Sequence, residues 1–403
     1  VINGLDGLSL HHLYRAMAFL GEELEDQKDC TPFAPRCIKD LIEEDMFLER
    51  RDLFSGLDCV FFDTTSIYFE GEGGETIGKL GHTKDNRPDL HQMVVGVILD
   101  EHGQPVCSEM WPGNTTDVKT LVPVIKRLRS RFAIGRICIV SDRGMISAET
   151  MDYLEEEQIS YILGARMRSS KEVKEDVLSR AGRYREVHHE GSSAKDPSPL
   201  KVKEVIVDKK RYIVCLNEKQ ARKDAADRQA ILDSLLEKLK SNPKSLVGNK
   251  GYRKYLKLDR DTVAVNQEKI EEEARYDGKW VLKTNTALTA EQAALKYKEL
   301  WQVEHLFRDT KSLLETRPIF HKCDETIRGH VFCSFLALVL KKELYRRLEA
   351  TGNSFEWSDI KQDLKSLQEV TLDEDGKRLA IRTQSKGTCG KVFQAVGVAV
   401  PPT

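Results

Sequence analysis

The chain has 403 residues, a formal net charge of −2, 40% hydrophobic residues and 32% charged residues. This length allows one large core or two to three smaller ones, and the charge balance excludes a protein that is polycationic throughout. Any surface for nucleic acid must therefore be a local basic patch. The longest apolar run, around Phe332 to Leu340, is too short to cross a bilayer, so no membrane partner is expected.

The cysteine spacing indicates the redox state of the thiols, and the first residues of the sequence indicate the location of the protein. Nine cysteines are scattered without a CxxC pair or a completing histidine cluster, which favours reduced thiols over disulfides or structural zinc. The opening residues, VINGLDGLSLHH, lack the basic and apolar regions of a signal peptide, which indicates the cytoplasm. They also lack an initiator Met, as expected of a fragment whose N-terminal region is missing.

Two short apolar runs, each followed by an aspartate, predict buried strands. Cys59 to Phe62 precede Asp63, and Ile137 to Val140 precede Asp142 by two residues. An aspartate that follows a central strand lies at its carboxyl end, where open α/β sheets place their ligands. The alternative for Asp63 is a turn cap formed with the hydroxyls that follow it.

The surrounding elements predict an α/β fold with a mixed sheet flanked by helices. The pattern indicates helices in residues 1–56, a hairpin of 93–99 with 105–111, a helix over 118–132 capped by Thr116 or Asp117, a helix that begins at Ser147, and a strand at 160–164. Residues 166–277 are rich in Arg and Lys, too long for a loop and too polar for a large core, with a small hairpin and a charged helix. We interpret them as a β-containing insertion.

The predicted organisation has five segments. They are a helical N-terminal region (1–56), the first part of the core (57–165), an insertion subdomain (166–277), the end of the core with an acidic helix (278–349), and a loose C-terminal tail (350–403) that ends in Pro-Pro-Thr.

The stretch from Leu295 to Lys311 contains no Gly or Pro, and its apolar residues recur at helical spacing, which predicts one amphipathic helix. Tyr297, Glu304 and Lys311 stand seven residues apart in turn, nearly two helical turns, so they would share one face. A solvated charged face is the alternative interpretation of this pattern.

Three carboxylates on two strands and a helix match what a two-metal site requires. Mg²⁺ prefers oxygen ligands, so Asp63, Asp142 and Glu304 without His or Cys suit it. Two such ions, about 4 Å apart, promote in-line attack on a phosphodiester. Asp63 is expected to bridge the ions, and Lys311 and Arg308 would neutralise charge nearby. No GxxxxGK[ST] motif is present, which disfavours a P-loop ATPase or a kinase.

Four motifs, in order, carry a family resemblance: FFDTTSIYFE, GNTTD, VSDRGM and Tyr297-x2-Leu300-x3-Glu304-x6-Lys311. Over roughly residues 55 to 345 the chain resembles the DDE transposases of bacterial insertion sequences, and more narrowly the insertion-sequence-four superfamily with its Tyr-x2-Arg-x3-Glu-x6-Lys signature. The resemblance implies an RNase H-like core interrupted by a β-rich insertion. It also implies cutting at terminal inverted repeats and strand transfer with two Mg²⁺ ions, which Mn²⁺ can replace.

The implied partners are double-stranded DNA, as transposon ends and target, and further copies of the chain in a synaptic complex. The implied location is a bacterial or archaeal cytoplasm, at the nucleoid. Carried over by position, Asp63, Asp142 and Glu304 are the catalytic metal ligands, while Tyr297 and Lys311 contact DNA phosphates.

Three further residues are candidate DNA contacts. Leu300 stands where the signature has Arg, so Arg308 is the candidate to supply that phosphate contact. Arg143 fits the family pattern as a phosphate ligand or pairs with a carboxylate. Trp301 is a candidate for base stacking, but its core-like neighbours favour burial.

Two other functions stay open at this point. A metal-dependent nuclease on the same core would cut without joining, and inverted repeats flanking the gene would distinguish it from a transposase. A non-catalytic DNA-binding protein descended from a transposase is the second alternative. The intact set of three carboxylates argues against it, because binding alone does not require them.

Overall fold

The computed structural model describes residues 7–28, 30–31, 34–50, 59–85, 87–132, 134, 137–188, 200–241, 250–258, 263–374 and 377–399. The chain divides into two compact units. The first unit takes in residues 1–46, 65–114 and 305–403, and the second takes in residues 47–64 and 115–304.

In chain order, the strands are β1 (Cys59–Tyr68), β2 (Gln92–Leu99), β3 (Pro105–Pro112), β4 (Cys138–Ser141), β5 (Ser160–Ala165), β6 (Arg185–Val187), β7 (Leu200–Val207), β8 (Lys210–Leu216), β9 (Leu256–Leu258), β10 (Val263–Val265), β11 (Lys279–Thr284), β12 (Glu369–Glu374) and β13 (Lys377–Arg382). The α-helices are α1 (Leu10–Leu20), α2 (Ile38–Arg50), α3 (Leu121–Arg131), α4 (Ala148–Glu156), α5 (Glu218–Ser241), α6 (Lys250–Arg253), α7 (Gln267–Ala274), α8 (Ala290–Lys298), α9 (Trp301–Arg308), α10 (Asp324–Ala350), α11 (Trp357–Ser366) and α12 (Cys389–Ala395).

A mixed sheet forms the centre of the second unit. The first part of β1, β4 and β5 are parallel neighbours, and β11 then pairs antiparallel with β5 on one side and β8 on the other. Strands β7 and β6 continue the sheet in antiparallel fashion. Helix α8 contacts β4, β5, β7 and β8. The predicted fold class, a mixed sheet flanked by helices, is confirmed.

The parallel strands have the sequences that burial on both faces requires. In β4 and β5, the residues Ile139, Val140, Ile162 and Leu163 are at most 1% exposed. Crossovers between parallel strands need helices, and α3 and α4 supply them before β4 and β5. Ser147 caps α4 by accepting a hydrogen bond from the Thr150 N–H, as predicted.

The predicted insertion contributes strands to this sheet. Its hairpin, β7 with β8, is confirmed, and β8 joins the sheet through β11, which pairs with it over six residues. The helix predicted in this segment is α5. The boundary predicted between residues 56 and 57 lies outside the described residues, and the five-segment division stays a prediction.

The first unit contains the predicted hairpin of β2 with β3, which lies beside the part of β1 that belongs to this unit. Helix α1, in the region predicted to be helical, packs against the long helix α10. None of the helices in the described part of the chain combines the length and apolarity that a bilayer crossing needs. The nine cysteines, all of them described, are free thiols.

The prediction of a loose tail is wrong for most of residues 350–403. Helices α11 and α12 and the hairpin of β12 with β13 lie there. The reason is a small apolar core, in which Ile360 and Val392 are buried against Leu348 of α10. The final Pro401, Pro402 and Thr403 lie outside the described residues.

Candidate active site

Two aspartates come to adjacent positions because β1 and β4 pair in parallel with a fixed register. The paired residues run from Cys59 with Cys138 to Phe62 with Ser141. The Ser141 hydroxyl reinforces this register by donating a hydrogen bond of 2.9 Å to the Phe62 carbonyl. Asp63 directly follows Phe62 and Asp142 directly follows Ser141, and both aspartates are half-buried. The structure therefore brings these two predicted ligands together.

The expectation that Asp63 ends its strand is wrong. Strand β1 continues to Tyr68, and Thr64, Thr65 and Ser66 are buried within it. Asp63 instead marks the point where pairing with β4 stops, because β4 ends at Ser141. Its Oδ1 accepts a 2.7 Å hydrogen bond from the Thr64 N–H. The strand continues because the buried hydroxyls of this polar run find partners inside the protein.

Tyr297 of α8 is bound to one of the two aspartates. Its hydroxyl donates a hydrogen bond of 3.1 Å to Asp142 Oδ1. Burial raises the pKa of the Tyr297 phenol well above its usual value, and the negative charges of Asp142 and then Asp63 add to the effect. Tyr297 is therefore a neutral hydrogen-bond donor that orients the Asp142 carboxylate.

A glycine makes the approach of Tyr297 possible. A Cβ at Gly164 of β5 would stand 2.4 Å from Tyr297 Oη and 3.0 Å from the backbone nitrogen of Arg143. Any side chain there would displace the phenol or the turn after Asp142. Gly164 is thus part of the site, a role that no local sequence pattern predicted.

The prediction of one continuous helix from Leu295 to Lys311 is wrong. Helix α8 ends at Lys298, α9 begins at Trp301, and residues 309–313 form a π-helical turn. At the junction, the N–H groups of Leu300, Gln302 and Val303 bond to carbonyls three residues back, which tightens the turn. Tyr297, Glu304 and Lys311 therefore do not share the face of a single helix.

Around the break, the apolar side chains are buried and several polar ones face the solvent. Leu300, Val303 and Leu306 are all buried. Trp301 is turned outward and is 57% exposed, so the expectation of burial is wrong. Glu304 and Arg308 are also exposed.

Lys311 lies in the first unit, within an ion cluster. Its Nζ is 2.8 Å from Asp85 Oδ1, and Arg317 pairs with the same oxygen. Burial lowers the pKa of the Lys311 ammonium despite this bond. Burial acts to raise the pKa of Asp85, but the hydrogen bonds from Arg317 and Lys311 hold it below its usual value. Two cations thus share one carboxylate, a cluster that the sequence analysis did not predict.

Arg143 and Asp142 line a cleft of about 280 Å³ in the second unit. Arg143 is exposed in the 3-10 turn Arg143–Met145, and its positive charge acts to lower the pKa of Tyr297. The remaining lining has two cationic, three aromatic, one acidic and four smaller residues: Gly164, Ala165, Met167, Arg168, Asp224, Tyr276, Lys279, Trp280, Val281 and Tyr297.

A fourth acidic residue approaches the aspartates. Asp117 begins the 3-10 turn Asp117–Lys119, and its Oδ1 accepts a 2.7 Å hydrogen bond from the Thr64 hydroxyl. The sequence analysis treated Asp117 only as a possible helix cap. Its place at the end of the GNTTD motif was the signal that could have identified it.

The carboxylates fit a divalent metal in part. Asp63 and Asp142 offer hard oxygen donors on adjacent strands, the chemistry that Mg²⁺ prefers. Across the described residues, however, no three or more His, Cys, Asp or Glu side chains form a group that could hold a metal ion. The structure thus assembles two of the predicted ligands and leaves Glu304 outside such a group.

Comparisons with known proteins give one match to a family. A family model described as a transposase DDE domain matches residues 55–340, more than two thirds of the chain. No curated protein matches. Among solved structures, the piggyBac transposase in a synaptic complex with hairpin DNA matches with a TM-score of 0.38 and 10% identity. The match covers 75% of this chain, which spans half the length of that transposase chain.

Proposed function

The chain belongs to the family of proteins with a transposase DDE domain, and from this premise we propose that it catalyses DNA transposition with a divalent metal ion. In this proposal it cuts DNA at terminal inverted repeats and joins the 3′ ends to target DNA. Its core is RNase H-like, its Tyr297-to-Lys311 spacing follows the signature of the insertion-sequence-four superfamily, and it acts as a homo-oligomer that holds two DNA ends.

The observation that carries the proposal is the register of β1 with β4, which sets Asp63 and Asp142 side by side. These two residues would hold Mg²⁺, or Mn²⁺ in its place. A cation there would neutralise charge on the phosphodiester and favour in-line attack by water or a 3′-hydroxyl. Tyr297 orients the Asp142 carboxylate through its hydroxyl.

The remaining roles rest on the motif and on exposure. Glu304 is the proposed third ligand because of its place in the Tyr297-to-Lys311 spacing. Arg143 and Arg308, both exposed, are proposed contacts to DNA phosphates, and Lys311 keeps that role from the signature. Trp301, with its indole exposed, is the proposed stacking partner for a base.

The test is nicking of a supercoiled plasmid by this chain with Mg²⁺, Mn²⁺ or EDTA, with Glu304→Gln measured in parallel. We expect nicking that needs metal and is lost in the variant. Nicking that survives Glu304→Gln would remove Glu304 from the site. Nicking without joining of a labelled 3′ end to target DNA would instead identify a nuclease. Metal-independent binding of DNA with no cutting would identify a non-catalytic relative.

A further inference from the structure

The carboxylate of Asp117 lies beside residues that follow both metal-binding candidates. Its Oδ1 accepts the 2.7 Å hydrogen bond from the Thr64 hydroxyl, and Thr64 is the residue after Asp63. Its Oδ2 is 3.4 Å from where a Cβ on Gly144 would stand, and Gly144 is two residues after Asp142. Asp117 therefore contacts strand β1 directly after Asp63 and approaches the 3-10 turn directly after Asp142.

Thr64 is in turn hydrogen-bonded to Asp63. Thr64 is 1% exposed, and its backbone N–H donates a 2.7 Å hydrogen bond to Asp63 Oδ1. Removing the acceptor of a buried hydroxyl is costly, because the hydroxyl is then left without a hydrogen-bond partner. By fixing the Thr64 side chain, Asp117 also fixes the peptide that holds the Asp63 carboxylate.

The segment that contains Asp117 also contacts the 3-10 turn that follows Asp142. The Thr120 hydroxyl donates to the Asp117 carbonyl at 2.6 Å and lies 3.6 Å from the sulfur of Met145, in the 3-10 turn after Asp142. Met145 is buried, so this contact does not depend on a solvated side chain. The turn with Asp117 thus contacts residues that follow both aspartates.

We propose that Asp117 and Thr64 are positioning residues for the metal site, with Asp117 holding Thr64 and Thr64 holding Asp63. The inference rests on the proposed function, because it assigns a metal to Asp63. Asp117 acts through its oxygen as a hydrogen-bond acceptor, and its negative charge is not the essential property. Outer partners of this kind typically change metal affinity or activity by about 10–100-fold when they are removed.

The experiment compares variants that separate the hydrogen bond from the charge. Asp117→Ala and Thr64→Val remove the bond, whereas Asp117→Asn keeps an acceptor and Thr64→Ser keeps the donor. Thr65→Val removes a neighbouring buried hydroxyl of the same strand and is the matched control. Two quantities are measured on the full chain: Mn²⁺ binding by titration calorimetry and the Mg²⁺ concentration that gives half-maximal plasmid nicking.

We expect Asp117→Ala and Thr64→Val each to weaken Mn²⁺ binding by about 10–100-fold, and the double variant to be no worse than either. Asp117→Asn, Thr64→Ser and Thr65→Val should stay within about threefold of the wild type. If Asp117→Asn loses binding as fully as Asp63→Asn, Asp117 acts by charge and the positioning role is refuted. Unchanged binding in Asp117→Ala also refutes it.

Two controls distinguish this inference from the proposed function and from misfolding. A wild-type chain that neither binds Mn²⁺ nor nicks DNA would remove the proposed function itself. Metal binding that is lost in Asp63→Asn but retained in Thr64→Val would remove only the positioning role. If Asp117→Ala does not fold by circular dichroism, Thr64→Val and Asp117→Asn decide the question.

Discussion

The strand-borne and helix-borne parts of the candidate site are held by different kinds of interaction. Asp63 and Asp142 take their places from a backbone ladder, in which four residue pairs and the Ser141 hydroxyl fix the register. Tyr297 and Glu304 lie on α8 and α9, which meet at a tightened turn. Backbone pairing therefore sets the spacing of the two aspartates, whereas Tyr297 is held by a side-chain hydrogen bond to Asp142.

The largest effect should come from the strand-borne part. Asp142→Asn removes a charge from the proposed metal site, and we expect the rate of Mg²⁺-dependent nicking to fall by about 10³-fold or more, because metal stabilisation is worth several kcal/mol. Asp152→Asn, an exposed residue on α4, is the control and should cut at the wild-type rate. Cutting by Asp142→Asn at the wild-type rate would show that Asp142 is not part of the catalytic site.

The next effect concerns stability in the first unit. Asp85→Asn leaves Lys311 and Arg317 without their shared carboxylate, and we expect a loss of about 3 kcal/mol in the free energy of unfolding, measured with urea. Asp89→Asn is the matched control, since its pair with Arg87 on the same loop is exposed and contributes nothing measurable. An equal stability of the two variants would contradict a structural role for the Asp85 cluster.

The same cluster has a defined pH dependence. Since the folded pKa of Asp85 is lowered, its contribution to stability is fully present above the ordinary carboxyl pKa of 3.8 and is lost as the pH falls through the folded value. Acid unfolding of the wild type should therefore include a step below pH 3.8 that Asp85→Asn lacks. Parallel acid titrations of both proteins, followed by circular dichroism, measure this step.

The close contact of Tyr297 on α8 with the sheet can be disrupted at Gly164. Gly164→Ala forces a methyl group onto the Tyr297 hydroxyl and the Arg143 backbone, and we expect a loss of about 1–3 kcal/mol of stability with reduced nicking. Adding Tyr297→Phe removes the hydroxyl and should restore part of the stability but not the activity. Gly390→Ala, which meets no atom within 4 Å in α12, should be neutral or slightly stabilising.

The smallest effect on stability is expected at Trp301. Because its side chain is 57% exposed, Trp301→Ala should change the free energy of unfolding by about 0.5 kcal/mol or less. Loss of a stacked base would weaken DNA binding by about 1–3 kcal/mol, measured by fluorescence anisotropy at fixed salt. Leu340→Ala, at a position that is 70% exposed on α10, is the control for loss of an exposed apolar group. Unchanged DNA affinity in Trp301→Ala would refute the stacking role.

Much of the fold could be predicted because strands and helices leave local patterns. The apolar runs before Asp63 and Asp142, the hairpin of β2 with β3 and the cap at Ser147 are all confirmed. The extension of β1 could not be predicted, because its polar residues are buried with distant partners. The Thr64 hydroxyl bonds to Asp117, and Ser66 Oγ accepts from the Lys84 N–H at 2.8 Å.

The site was predicted less completely because its contacts are distant in sequence. The break between α8 and α9 contains no Gly or Pro, so the helical spacing of the apolar residues did not predict it. Asp85 is 226 residues from Lys311, and nothing local links them. Asp117 was visible only as a member of a motif, and its bond to Thr64 follows from the fold.

The course of the chain through the second unit also bears on how this protein tolerates changes in length. Between β5 and β11 the chain forms β6, β7 and β8, and β11 then pairs directly with β5. The two ends of this excursion thus lie side by side, so that loops within it can vary in length without altering the parallel strands that precede the aspartates. The excursion cannot be deleted outright, however, because β8 covers the outer side of β11. Without β8, a ladder of unpaired amides would face the solvent and invite edge-to-edge association of molecules.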